Sequence, residues 1–175
     1  LRRTDPLLRQ AQLWVKQYPD DPRGYHNLGL VYEARRLYDQ AIEFYQHALI
    51  LSPDLAATCY NLGLVYSRLD RLREAIEAYR RAIQLDGQLA IGHNNLALLL
   101  IVTEPDQALK HAQQAVRLQP ENANYLDTLG EIYYHLKRYR EAKQAIDRAM
   151  ALDPEQTIYQ KRQDKIQQAI AQSQK

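Results

Sequence analysis

Apolar residues recur along this chain at helical spacing. Tyr25, Leu28, Gly29 and Tyr32 fall at i, i+3, i+4 and i+7, one stripe of an amphipathic helix. Ala41, Tyr45 and Ala48 make a second stripe at i, i+4 and i+7. Asp21-Pro22 opens the first of these helices, with Asp as N-cap and Pro in the first turn, where its missing N–H costs nothing. Only a few residues, such as Arg36 and Leu37, separate the two stripes, which predicts an antiparallel helical hairpin. Small residues (Gly29, Gly63, Gly130 and the paired alanines) let two helices approach closely, while Tyr fills the gap beside them.

The hairpin pattern is repeated. Residues 25–32 (YHNLGLVY) return as 59–66 (CYNLGLVY) and 93–100 (HNNLALLL), each 34 residues on, and as 126–133 (LDTLGEIY) after 33. A second block keeps phase with the first: residues 39–48 (DQAIEFYQHA) return at 73–82, 106–115 and 140–149. Each copy closes on a helix stop, at Ser52-Pro53, Asp86-Gly87, Gln119-Pro120 and Asp153-Pro154.

On these residues the chain resembles the tetratricopeptide repeat family. The 34-residue unit of that family is matched at Leu28, Gly29, Tyr32, Ala41, Tyr45, Ala48 and Pro53. It is matched again at Leu62, Gly63, Tyr66, Ala75, Tyr79 and Ala82, and at Leu129, Gly130, Tyr133, Ala142, Ala149 and Pro154. The resemblance implies an all-α fold, a right-handed superhelical solenoid of helix–turn–helix units. The expected organisation is one array over 1–175, with full units at 22–55, 56–89, 90–122 (one residue short) and 123–156. Terminal units of repeat proteins are atypical because one side must meet solvent. Residues 5–19 read as the second helix of an incomplete unit, with Trp14 where later units have Ala, so its preceding helix is expected to be absent or displaced. Residues 155–171 read as a capping helix with Ile158, Arg162, Ile166 and Ile170 along a narrow stripe. A start at Leu1 without Met suggests an excised or processed fragment.

Composition narrows the function classes. With 46% hydrophobic and 25% charged residues the chain is an ordinary globular one, neither disordered nor collagenous. Thirteen of its aromatics are Tyr, against one Phe and one Trp. The net charge of +2 falls short of a nucleic-acid-binding footprint, so no nucleic-acid partner is expected. The longest clean apolar run, Leu96 to Val102, is far shorter than the ~20 residues of a membrane span, and no membrane insertion is expected. The single cysteine, Cys59, excludes an internal disulfide and reads as a packed thiol. The compartment stays open, a cytoplasmic one being favoured.

No catalytic, cofactor or metal site is expected. Gly-rich phosphate loops, a Gly-x-Ser-x-Gly elbow and His-Glu-x-x-His are absent from the sequence. The five histidines, His26, His47, His93, His111 and His135, read as scattered over different units, and His93 as a hydrogen-bonded core residue. The informative face lies opposite the buried stripe of each first helix. At about 100° per residue it carries Arg23, Asn27, Leu30 and Ala34, then Ala57, Asn61, Leu64 and Arg68. The later copies carry Ile91, Asn95, Leu98 and Val102, then Asn124, Thr128, Glu131 and His135. In the family this face lines a concave groove that receives a partner's protein or peptide segment.

Asn27, Asn61 and Asn95 occupy one register and predict an asparagine ladder that could hold a backbone N–H and C=O together. Simple duplication of a frequent family residue is the alternative, the functional reading being favoured. Leu30, Leu64 and Leu98 run beside them, and Ile91, Ile101 and Val102 add apolar contact in the third unit. Tyr60, Asn94, Asp127, Glu131 and Tyr134 complete the expected groove, with Arg23 and Arg68 favouring an acidic ligand residue and Asp127 and Glu131 a basic one. Members of the family that clamp the C-terminal carboxylate of heat-shock chaperones use Lys and Arg with Asn. Here His26, Leu30, Ile91 and Asn95 stand where those groups are needed, which argues against that ligand. The expected function is a non-catalytic protein-interaction scaffold. A recognition arm of a larger enzyme, and a module that self-associates through the half-unit around Trp14, are the alternatives.

Overall fold

A computed structural model describes residues 6–173. Among them are ten helices and no strands. In order they are α1 (Pro6–Gln17), α2 (Pro22–Ala34), α3 (Tyr38–Leu51), α4 (Ala56–Arg68), α5 (Leu72–Leu85), α6 (Ala90–Leu100), α7 (Pro105–Leu118), α8 (Ala123–His135), α9 (Tyr139–Leu152) and α10 (Thr157–Ser173). Asp5, where the predicted N-terminal element begins, lies outside the described residues. No described helix is long and apolar enough to cross a membrane. The chain divides into two compact units, Leu1–Gly87 and Gln88–Lys175.

In the first unit α2 pairs with α3 and α4 with α5, and α3 also packs on α4. The pairing follows from side-chain size. Gly29 and Gly63 leave room for the rings of Tyr45 and Tyr79, and a Cβ at either glycine would overlap ring carbons. The alanines at the same interfaces, Ala41, Ala48, Ala75 and Ala82, are fully buried. Asp21 caps α2, accepting from the Arg23 amide at 3.0 Å.

In the second unit α6 pairs with α7 and α8 with α9, while α10 packs on α9 and touches α8. Leu126, Ala142, Ile146, Ala149, Tyr159 and Ile166 form its terminal core. Of the expected capping stripe, Ile166 is buried, Ile170 packs against the core and Arg162 reaches α8, while Ile158 is 46% exposed and Tyr159 is buried in its place.

Three of the four hairpin turns are the same. Arg36, Asp70 and Lys137 take positive φ, near 60°, just after α2, α4 and α8. The next N–H then reaches back five residues, Leu37 to Tyr32, Arg71 to Tyr66 and Arg138 to Tyr133, at 2.8–2.9 Å. This is a Schellman ending with a non-glycine residue in the left-handed position. The α6–α7 connection has four residues against three in the others, the residue missing from this unit being lost from α6, which stops at Leu100; none of the four takes positive φ, and Glu104 N–H returns to Leu100 C=O at 2.8 Å.

Candidate functional site

In the first unit the candidate residues lie on the exposed sides of α2 and α4. Asn27 and Leu30 are exposed, and Tyr60, Asn61 and Leu64 are half-buried. A polar network crosses from α2 through α3 to α4. Glu33, the one acidic residue of α2, accepts from the Tyr45 hydroxyl at 2.8 Å and pairs with Arg68 at 3.3 Å. Asn61 donates to the same hydroxyl. Burial, with the Glu33 carboxylate beside it, pushes the Tyr45 phenol far above its ordinary range, so it stays a neutral donor. Sequence reasoning passed over Glu33; its being the lone acid in a helix facing an arginine one repeat later was the available signal.

Neither arginine is an uncommitted cation. Arg23 pairs with Asp21 at 2.7 Å and lies over the Trp14 ring, 5.6 Å from its centroid. The Trp14 indole N–H donates to Asp21 at 3.1 Å. With Arg23 bonded first and Trp14 after it, the Asp21 carboxyl is lowered to about 2. Arg68 is held by Glu33 and covers the Tyr38 ring at 5.9 Å. Each of these arginines, expected to favour a partner's acid, has an acid within the chain. His26, in the place of the clamp lysine, bonds Thr58 at 2.8 Å, and burial lowers its pKa.

In the second unit α6 shows Ile91 and Leu98 to solvent, with Asn95 half-buried. Asn94 is 7% exposed and donates to Asn95 at 3.5 Å, so it belongs to the interior. Ile101 and Val102 lie beyond the end of α6, in a four-residue connection, because α6 stops at Leu100, two residues short of the other first helices. Val102 is fully in solvent and Ile101 is half-buried. Thr128 is buried, its hydroxyl donating to the Asn124 carbonyl at 3.0 Å.

The expected acidic stretch on α8 is occupied from within. Arg162 of α10 contacts Asp127 at 2.7 Å and Glu131 at 2.8 Å, and Lys165 sits 4.4 Å from the Tyr134 ring centroid. The cap supplies the basic residue that a ligand was expected to bring. Burial still dominates at Asp127 and raises its pKa to about 6, with Arg162 opposing and Glu131 assisting.

His93 and His111, read as members of different units, face each other across α6 and α7 with Nδ1 atoms 3.0 Å apart. His93 is 9% exposed. The described residues hold no group of three or more His, Cys, Asp or Glu able to bind a metal. Cys59 is buried, which pushes its thiol pKa up, as for a packed side chain.

Two models described as tetratricopeptide repeat match the chain, at residues 20–88 and 99–166. No curated protein matches it by sequence. Among solved structures it is similar to YrrB, described as a TPR protein with an unusual peptide-binding site, with a TM-score of 0.75 at 20% identity over 87% of this chain and 79% of that one. A structure of MamA matches with a TM-score of 0.76 at 24% identity over 84% and 86% of the two chains. MamA from Desulfovibrio magneticus RS-1 gives 0.76 at 21% over 85% of each. At these identities the likeness is one of fold, the all-α solenoid of helical repeats.

Proposed function

Because the chain belongs to the tetratricopeptide repeat family, we propose that it is a non-catalytic scaffold that binds an extended segment of a partner protein along its first-helix faces. The observation that carries this reading is the pairing of Asn with Leu in one register. Asn27 with Leu30 and Asn61 with Leu64 stand on successive first helices of one unit, and Asn95 with Leu98 repeats the pair on α6. Asn offers a donor and an acceptor to a peptide unit, and Leu an apolar contact for the alternate side chain. Asn61 spends a donor on Tyr45 and keeps its carbonyl oxygen, so Asn27 carries more of the backbone grip in the first unit. That YrrB has a peptide-binding site supports the class of ligand.

A displayed peptide library panned on the wild-type chain supplies ligands for the test. Asn27→Ala with Asn61→Ala, both in the first unit, is expected to weaken selected peptides at least about tenfold, two lost hydrogen bonds at roughly 1 kcal/mol each. Unchanged affinity in a double variant of normal helicity would sink the asparagine reading.

A further inference from the structure

Three of the four hairpins hold a large side chain over a glycine, Tyr45 over Gly29, Tyr79 over Gly63 and Ile146 over Gly130. The α6–α7 pair has Ala97 and Ala112 at these places, both buried. Two imidazoles meet across its interior instead. His93 is buried and His111 half-buried, and their Nδ1 atoms stand 3.0 Å apart. The equivalent positions in the other hairpins hold Tyr25 with Phe44, Cys59 with Ala78 and Leu126 with Ala145, so the imidazole contact is particular to the third repeat.

The ring centroids are 5.2 Å apart, close to the separation of two imidazoles that meet nitrogen to nitrogen in line. That geometry holds one proton between the two lone pairs. A metal ion would need both lone pairs turned toward a third point. In the neutral pair one Nδ1–H donates to the other Nδ1. A first added proton enters at the outer nitrogen of the donor ring, and the bond becomes charge-assisted. A second would put hydrogen on both facing nitrogens and bring two positive rings into contact, so the rings must part. On both helices the residues three and four places from each histidine are Leu, Ala or Gln. Glu104, Asp106, Lys110 and Arg117, the charged residues at the start of α7 and along it, are exposed. From α8, which packs on α7 and touches α6, the buried Tyr125 phenol meets Ala90 and Ala115, and burial keeps it neutral. The Tyr133 hydroxyl of α8 accepts from Gln113, Asp127 and Glu131 are held by Arg162, Tyr134 lies against Lys165, and His135 is exposed.

We propose that His93 and His111 make the α6–α7 contact a proton-sensitive joint, closed with up to one added proton and opened by the second. Below the ordinary imidazole value of about 6.5 the open pair binds one proton more than the closed pair, so the contact weakens as pH falls. Asp127 works in the opposite sense, because the fold raises its pKa to about 6. His26, whose pKa burial lowers, also loses stability in acid, but it lies in the first unit against Thr58. α6 carries Asn95 and Leu98, so the joint makes their part of the binding face acid-sensitive; that consequence alone rests on the function proposed above.

Two measurements on the whole chain test the joint. With histidine labelled by 15N, a scalar coupling between the two Nδ1 nuclei across the hydrogen bond is expected near neutral pH and is lost in acid. Amide exchange in α6 and α7, corrected for its intrinsic pH dependence, reports the opening itself. One extra proton bound on opening makes the opening constant rise about tenfold for each unit that pH falls below about 6. His93→Leu and His111→Phe install the residues that α8 and α3 carry at the same places, so each fits the helix pair. Each is expected to fold and to abolish the tenfold slope in α6 and α7. The exposed His135→Gln should leave the slope as in wild type. Absence of the coupling near neutral pH, or a slope that persists in either joint variant, would overturn the proposal. So would exchange in α6 and α7 that does not quicken in acid. No peptide enters these measurements, so the joint and the binding function can fail separately.

Discussion

Asp127 is a carboxylate with an arginine at 2.7 Å whose pKa is nonetheless raised to about 6. Removing it from water costs more than Arg162 returns, with the neighbouring Glu131 adding to the cost. The folded chain therefore holds this proton more tightly than the unfolded chain does. The stability it contributes is full below the unfolded value near 3.8 and is lost as pH rises through about 6. Asp127→Asn should accordingly gain stability relative to wild type as pH is raised from 4 to 7, read from urea midpoints; parallel curves would contradict the assignment. Asp127 was legible as an acid on the outer face of a helix, but its pairing was not, because Arg162 approaches from a helix 35 residues away. Asn61 teaches the same lesson. Its register came from the repeat, whereas its bond to Tyr45 depends on where a ring buried against Gly29 happens to point.

At the scale of the element, hairpin turns set helix length. The left-handed residue after α2, α4 and α8 lets each first helix run thirteen residues, while α6, lacking it, has eleven. That strands Ile101 and Val102 in a turn although the heptad-like spacing places them on a helix face. A non-glycine residue near φ 60° costs about 1 kcal/mol relative to glycine. Arg36→Gly is expected to stabilise the chain by about 0.5–1 kcal/mol, and Asp70→Gly and Lys137→Gly likewise, measured by denaturant unfolding. A loss on substitution would mean that the side chain contributes more than the conformation costs. Repetition made the helices, the Asp21 cap and the one-residue deficit of the third unit readable in advance, but that deficit falls in α6 and not in the turn. On α10 only Ile158 departs from the expected stripe, Tyr159 taking its place, since a lone terminal helix has no second copy against which to check its phase.

At the scale of the whole molecule, most contacts within each unit join helices adjacent in sequence. The terminal core of the second unit consists of α8 and α9 side chains closed by Tyr159 and Ile166 of α10. Removing residues 157–175 would uncover that core and leave Asp127 and Glu131 without Arg162. In a repeat protein such a loss spreads mainly to the adjacent elements. Amide exchange should therefore quicken at least about tenfold in α8 and α9 and stay unchanged in α2 and α3. Uniform acceleration would show instead a chain that unfolds as one cooperative block.

What the sequence determined by itself was the family, the helical hairpins, their registers and the faces they bury. Each of those rests on contacts inside a 34-residue period, which four copies spell out redundantly. Tertiary structure alone decided which polar groups are spent within the chain and which are left to a partner. Arg23, Arg68, Asp127 and Glu131 all looked available from their positions, and all are paired by residues on other helices or across a cap.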